Sequence, residues 1–405
     1  MNVKQLLQSK RKRNGAVIAL VLFVVVILSI VGVGLLGLGL QSRTLAARTA
    51  SEIEARCAAD AGLVKAVFEM NEKLKVTPWN GDILPQTADE LLPNCGASLS
   101  YTVTGDFYTG YNIEAVGKSG WAVKEADCAL QLQSPFEAAI FTNATISLKE
   151  GTVVDWYNYN ENERNLRIGT NSTEAGSIDL KNGVLVNGDI VVGLGGDPDV
   201  VITDSWATIT GDTYAMTERP YLPAVEVPAY LDAMPSDGFI KKTTTITASG
   251  KYAGINLGPG DVITIDGPVI LNITGDIILK NAAQLQIVDA QTNPNASLTL
   301  YVAGAVDCRY GSTINNLSKD PTKLKIYGLD SSLSMDFKNS TTFYGAIYAP
   351  AAAVTFYNDG DAYGAVVANT FEQKNSAAFH YDAALRDAGI DESAVRFIMK
   401  QWSEK

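Results

Sequence analysis

Residues 261–289 read DVITIDGPVILNITGDIILKNAAQLQIVD, and their texture decides the fold of most of the chain. Short runs alternate in period two, and Gly267, Gly275, Asn281 and Asp289 punctuate them. The same texture extends outward from Phe136 to about Leu385, in ATISLKEG (144–151), SIDLKNG (177–183), VLVNGDIVVG (184–193), LTLYVAG (298–304), LKIYG (324–328) and VTFYN (354–358). Strands this short cannot bury both faces alone, so they predict stacked coils: an all-β right-handed parallel β-helix, or solenoid. A β-sandwich would use similar strands in hairpins. The unequal loops and the Asn/Asp-Gly turns after nearly every strand favour the solenoid. Pro220, Pro223, Pro228 and Pro235 crowd PYLPAVEVPAYLDAMP (220–235), which predicts an extended strap across the outside of the coils.

The composition removes several function classes. The chain has 405 residues, 46% hydrophobic and 19% charged, with a formal charge of −12. That sign is wrong for a nucleic-acid partner, which requires a basic footprint. One histidine, His380, leaves no His-rich metal site, and four scattered cysteines without a CxxC exclude zinc ribbons and thioredoxin-type motifs. No cofactor and no metal are expected.

The charge is unevenly placed. Residues 1–15 carry Lys4, Lys10, Arg11, Lys12 and Arg13 and no acid, or +5, which leaves −17 for the remainder. Ala16 to Leu40 then contains no ionisable side chain. A helix of that length crosses a bilayer, and the basic run before it predicts an N-terminus inside and the bulk outside the cytoplasm. The stretch exceeds the apolar region of a cleavable secretory signal. GVGLLG (32–37) matches a dinucleotide fingerprint letter for letter, but no strand precedes it and it lies inside the span. Arg11-Lys12-Arg13-Asn14-Gly15 followed by the apolar run resembles a type IV prepilin leader, which implies cutting between Gly15 and Ala16 by a prepilin peptidase. The chain departs from that pattern at the fifth mature position, where Leu20 stands in place of the usual Glu.

The helix continues past the membrane to about Lys75, because no proline interrupts it and Ala46, Ala50, Ile53, Cys57, Ala61, Val64 and Phe68 recur at helical spacing. These residues are the face expected to pack on a sheet. Glu52–Arg56, Arg56–Asp60 and Lys65–Glu69 are i,i+4 pairs for the solvated side. Three antiparallel strands are expected at Leu99–Thr104, Tyr111–Val116 and Trp121–Gln133. TASEIEARCAADAGLVKAVFEMNE (49–72) followed by YNIEAVGKSGWAVKEADCALQLQ (111–133) is similar to the PilX N-terminal family, which implies an α+β pilin-like N-terminal part. FYGAIYAP (343–350), YGA (363–365) and FHYD (379–382) resemble a β-helical module found behind such N-termini. Outside the membrane disulfides are permitted. Cys95–Cys128 is the preferred pair, because both flank the sheet, with Cys57 as the alternative partner and small buried hydrophobes as the other reading.

The resulting organisation is a leader (1–15), a transmembrane helix (16–40), a pilin-like helix and antiparallel sheet (41–134), a β-helix domain (135–385) and a C-terminal capping helix (386–405). Catalysis is not expected. Glycoside hydrolysis needs two carboxylates facing one cleft, whereas Asp197, Asp199, Asp204 and Asp261 sit in Gly/Asn/Asp-rich turns, where acids serve the backbone. A Ca2+ site at Asp197 and Asp199 lacks a repeated loop, and a lone His380 in an aromatic strand reads as a structural hydrogen bond. Two functions remain. One is a minor subunit of a type IV pilus or related secretion filament, with other pilins or pseudopilins as partners. The other is a membrane-anchored adhesin or carbohydrate-binding protein that takes a surface ligand or polysaccharide.

Processing after Gly15 is the expected fate in a host with an active prepilin peptidase. Intact mass of the membrane-extracted protein should place the mature N-terminus at Ala16, and a bulky residue at Gly15 should block cutting. A protein that keeps residues 1–15 in that host would remove the leader reading.

Overall fold

The computed structural model describes residues 3–158, 165–338, 342–357, 360–374, 376–387 and 389–404, with side chains from residue 17 onward. The Gly15–Ala16 junction therefore lies outside the described side chains. A single helix, α1 (Val3–Leu74), opens the chain, and its apolar part reaches a mean hydropathy of 3.2, long and apolar enough to cross a membrane. Ser29 satisfies its hydroxyl within the helix by donating to the Val25 carbonyl at 2.8 Å.

The chain divides into two compact units. The first contains residues 1–68, 84–130 and 399–405. Here α1 lies on an antiparallel sheet of β1 (Gln86–Leu91), β2 (Ala97–Asp106), β3 (Gly110–Ser119), β4 (Ala122–Gln133) and a C-terminal strand (Arg396–Glu404) beside β4. The three predicted strands are present, but the sheet has five. The predicted capping helix over 386–405 is not: a short 3-10 turn (Ala383–Arg386) is followed by the strand. RFIMKQWSE carries apolar residues at helical spacing, yet β4 offers an open edge whose N–H and C=O groups need partners, and pairing decides the outcome.

The buried side of α1 also differs from the expectation. Ala55, Ala58, Ala59, Leu63, Ala66 and Met70 are buried, whereas Ile53, Val64 and Phe68 are 57%, 62% and 62% exposed. The predicted stripe lies on the opposite face, because 55, 58, 59, 62 and 66 sit about half a turn from 46, 50, 53, 57 and 64. Small residues win because they permit close approach. A Cβ added at Gly117 on β3 would lie 1.9 Å from the Ala55 carbonyl oxygen and 2.4 Å from the Ala59 nitrogen. Arg56 reaches Glu404 on the C-terminal strand at 2.8 Å.

The second unit, residues 69–83 and 131–398, is mostly β, and the ladders among its described residues are parallel, which removes a hairpin sandwich. Strands stack in three columns with inward Ile, Leu and Val, such as Ile263, Leu271, Leu279, Leu285 and Leu300, all fully buried. The order of the stack is not the order of the chain. β5 (Ile140–Leu148) pairs on one edge with Arg167–Thr170 and Ile178–Leu180, and on the other with Ala362–Gln373. β6 (Val153–Asn158) is likewise held between Leu185–Val186 and Ala378–Asp382.

Rungs therefore stack forward from β5 to Thr213–Ala215, and the 220–235 segment carries the chain back. The later rungs, from Phe239–Ile240 onward, stack toward β5 until the last docks on its free edge. Along one column, the strap is tied down in order. Asn171 Nδ2 donates to the Pro220 carbonyl at 3.5 Å and Tyr348 Oη to the Pro223 carbonyl at 2.8 Å, and Lys251 Nζ meets Asp232 Oδ1 at 2.9 Å.

Phe371 sits on the closing rung, 1% exposed, with ring centroids 6.0 Å from Phe356 and 5.7 Å from Phe379. Phe371→Ala should cost about 3–5 kcal/mol, read from the denaturant midpoint and slope. A loss below about 1 kcal/mol would show that this rung does not hold the core together.

Candidate functional site

Two surfaces and one cavity offer chemistry. The first surface is the apolar stripe of α1 that the sheet leaves uncovered: Ala46, Ala50, Ile53, Cys57, Val64 and Phe68. It follows the apolar span along the helix, in which Leu20 is 66% exposed and Phe23 66%. Helical apolar residues aligned over several turns and left bare fit a helix partner. The second surface is a charged column on the parallel stack, built from aligned outward positions.

The cavity, about 320 Å3, lies under the strap. Phe141, Val191 and Tyr348 form its floor, from outward positions on every second rung of one column, and Met216 and, from the strap, Leu222 line it as well. Its rim carries Glu137, Arg167 and Arg396, with Arg396 Nε donating to Gln133 Oε1 at 2.8 Å. Burial raises the Tyr348 phenol well above its ordinary pKa, so its hydroxyl stays a donor to Pro223 at any working pH.

The residues singled out from the sequence sit as follows. Asp197 caps the short helix Pro198–Val201 by accepting from the Asp199 amide at 3.1 Å, and Asp199 lies in that helix's first turn. Asp204 accepts from the Ala207 amide at 2.6 Å. Asp261 accepts from the Thr243 amide and hydroxyl at 3.2 and 3.1 Å and from the Gly258 amide at 3.1 Å. These are backbone-bracing roles, and among the described residues no three His, Cys, Asp or Glu side chains gather as a metal site. His380 places Nδ1 against Asp155 Oδ1 and stacks on Tyr363 with centroids 4.4 Å apart, while Tyr363 stacks on Tyr344 at 4.5 Å. It is one member of an aromatic column along successive rungs.

The structure does not bring Cys95 and Cys128 together. All four cysteines are free thiols; Cys57 and Cys95 are exposed, Cys128 and Cys308 buried. The ladder explains the separation. Cys128 on β4 faces Ile113, which faces Val103 on β2. Cys95 lies in the turn before β2, whose first residue, Ala97, stands six residues along the strand from Val103, roughly 20 Å at the rise of an extended chain, against the 7 Å limit for a disulfide. Cys57 points away from the sheet on the uncovered helix face. What the sequence reading missed is the second surface, because its members are scattered from residue 149 to residue 374 and only the register aligns them.

A family model described as a domain of unknown function (DUF7305) matches residues 213–388. That span runs from the last forward rung through the strap to just beyond the closing rung. No curated protein matches the chain. Among solved structures, the competence-associated pilin ComZ from Thermus thermophilus is 13% identical, covers 88% of this chain and 97% of its own, and has a TM-score of 0.21. The ice-binding protein LeIBP from an Arctic yeast is 13% identical, covers 60% of this chain and 90% of its own, and has a TM-score of 0.27. An ice-binding protein from an Antarctic bacterium of the Flavobacteriaceae is 11% identical, covers 60% and 79%, and has a TM-score of 0.16. Superpositions this loose transfer nothing to this chain.

In detergent-dispersed, folded protein, maleimide should label Cys57 and Cys95 rapidly, and Cys128 and Cys308 only after denaturation, since burial also raises both thiol pKa values. Protection of Cys95 that only a reductant relieves would restore the disulfide.

Proposed function

We propose that the chain is a non-enzymatic, pilin-like minor subunit of a type IV pilus or related secretion filament. In this reading α1 joins a helical core, and the parallel stack is a right-handed β-helix displayed outside the cell. The observation that carries it is the uncovered stripe on α1. Ile53, Val64 and Phe68 stand more than half exposed beyond the apolar span, on the side opposite the residues that bind the helix to its own sheet. An anchor alone has no use for a second apolar face there, whereas a helix surrounded by other helices does.

Leu20 refines the role. The glutamate that pilin-like subunits usually carry there would pair with the mature amino group of a neighbour, and an unpaired charge in an apolar bundle costs several kcal/mol. A subunit with leucine supplies no such carboxylate. A tip or initiating position tolerates that, and a repeating shaft position does not. The subunit is therefore a low-copy component that depends on other pilins, processed by a prepilin peptidase.

Ile53→Asp or Phe68→Asp should place a carboxylate in the helical bundle and reduce recovery in the sheared filament fraction at least about tenfold, because a buried unpaired charge costs several kcal/mol. Membrane levels and the denaturant midpoint should stay unchanged. Undiminished incorporation of both variants would overturn the docking role. Even labelling along a pilus shaft would overturn the tip position.

A further inference from the structure

On the middle column of the parallel stack, one outward position carries a cation on six of seven consecutive rungs. Lys338 faces Tyr357 in the ladder, and the backbone bonds Lys374 N to Phe356 O (2.9 Å), Lys149 N to Gln373 O (3.0 Å) and Lys181 N to Leu148 O (3.0 Å) continue the register one rung at a time. In the other direction, the bond from Arg309 N to Leu279 O (2.9 Å) sets Arg309 beside Lys280, and the facing of Cys308 and Phe337 sets it beside Lys338. The order along the stack is Lys280, Arg309, Lys338, Tyr357, Lys374, Lys149, Lys181. At about 4.8 Å per rung, the column runs about 29 Å.

Two residues earlier on each strand stands a second column, in which Asp307 faces Asp336 and Glu372 faces Ser147, which faces Asp179. The two columns are bridged. Lys338 Nζ lies 3.2 Å from Asp307 and 3.4 Å from Asp336, Lys149 and Lys374 lie 3.3 and 3.4 Å from Glu372, and Lys181 lies 3.0 Å from Asp179. Burial pulls the Lys338 pKa down, but the paired carboxylates outweigh it and hold the ammonium above the usual lysine value. Tyr357 interrupts the cations with a ring that Lys374 Nζ approaches at 4.2 Å and Lys338 Nζ at 5.7 Å.

Like charges facing each other on neighbouring strands repel, and here the interleaved carboxylates offset that repulsion and hold a line of cations on a chain that is acidic beyond residue 15. The side chains remain accessible, at 34% to 46% of their area for the bridged cations from Arg309 to Lys181. Surface ion pairs of this kind are weak and exchange readily for an incoming charge. We propose that the two columns bind an acidic polysaccharide of the polyuronate class, an extended polymer with one carboxylate and free hydroxyls on each sugar. Each cation takes a sugar carboxylate, the neighbouring acid accepts from sugar hydroxyls, and the Tyr357 ring packs on a sugar C–H face. The acid column sets this surface apart from a nucleic-acid site, which needs an uncompensated basic footprint. The inference holds whether the chain enters a filament or remains a lone anchored protein.

The test uses the full-length protein in nonionic detergent, with polygalacturonate as probe, dextran as the neutral polymer and oligothymidylate as the polyphosphate. Saturable, salt-sensitive polygalacturonate binding is expected, with dextran and oligothymidylate at least about tenfold weaker. Lys149→Gln with Lys374→Gln, and separately Lys338→Gln, should weaken it about tenfold or more, at unchanged denaturant midpoints. Asp336→Ala with Glu372→Ala should weaken it as well, because the hydroxyl acceptors are lost. Stronger binding by that variant, or oligothymidylate binding as tight as polygalacturonate, would mark a general polyanion surface and overturn the proposal. So would the absence of polygalacturonate binding by the folded wild-type chain at low salt.

Discussion

The stack of parallel strands depends on the hydrogen bonding of β5 along both of its edges. One edge meets rungs that follow it closely in sequence, and the other meets Ala362–Gln373, more than two hundred residues later. Until that last rung arrives, β5 and β6 present unpaired N–H and C=O groups in an otherwise buried ladder. The strap is the physical means of reaching this arrangement. From the Tyr214 rung back to the Lys251 rung the chain must cross nine inter-strand steps, about 43 Å, and a proline-rich segment covers such a distance without competing for ladder bonds.

That return path also creates the cavity. A strap laid over outward-facing Phe141, Val191 and Tyr348 converts positions that would be solvated on an open stack into a second layer of burial. Tyr301, Tyr327 and Tyr348 stack along the covered side, with centroids 5.4 and 6.3 Å apart, and Tyr301 finds the Ser393 hydroxyl at 2.6 Å. The opposite choice is made on the charged side, where the outward residues stay partly exposed and acids and bases balance each other across neighbouring positions. The same repeat geometry therefore gives an aromatic ladder where a segment lies above it and a charged one where water does.

In the N-terminal unit the corresponding constraint is the close approach of α1 to β3. Gly117 admits the helix backbone, and Ala55, Ala58 and Ala59 present no bulk against it. Larger apolar residues could bury more area but would hold the helix off the sheet. Two apolar faces thus divide the work: the shallow one fixes the helix to its own sheet, and the bulkier one, with Ile53, Val64 and Phe68, is left bare.

The sequence by itself determined the apolar span, the long helix behind it, the central strands of the first sheet and the parallel texture of 136–385. Each of these is written in local periodicity, turn residues or an uncharged run, which act over a few residues at a time. It did not determine which of two apolar helix faces is buried, since both repeat at helical spacing and only the fit at Gly117 selects the small one. It did not make Arg396–Glu404 a strand, because the open edge of β4 that recruits it is formed far away in sequence. Nor did it show that Lys149 stands beside Lys374, or that Cys95 and Cys128 are far apart. Register between rungs joins residues hundreds of positions apart, and the tertiary structure alone sets it, because it depends on which strand edges remain free when the last rung closes.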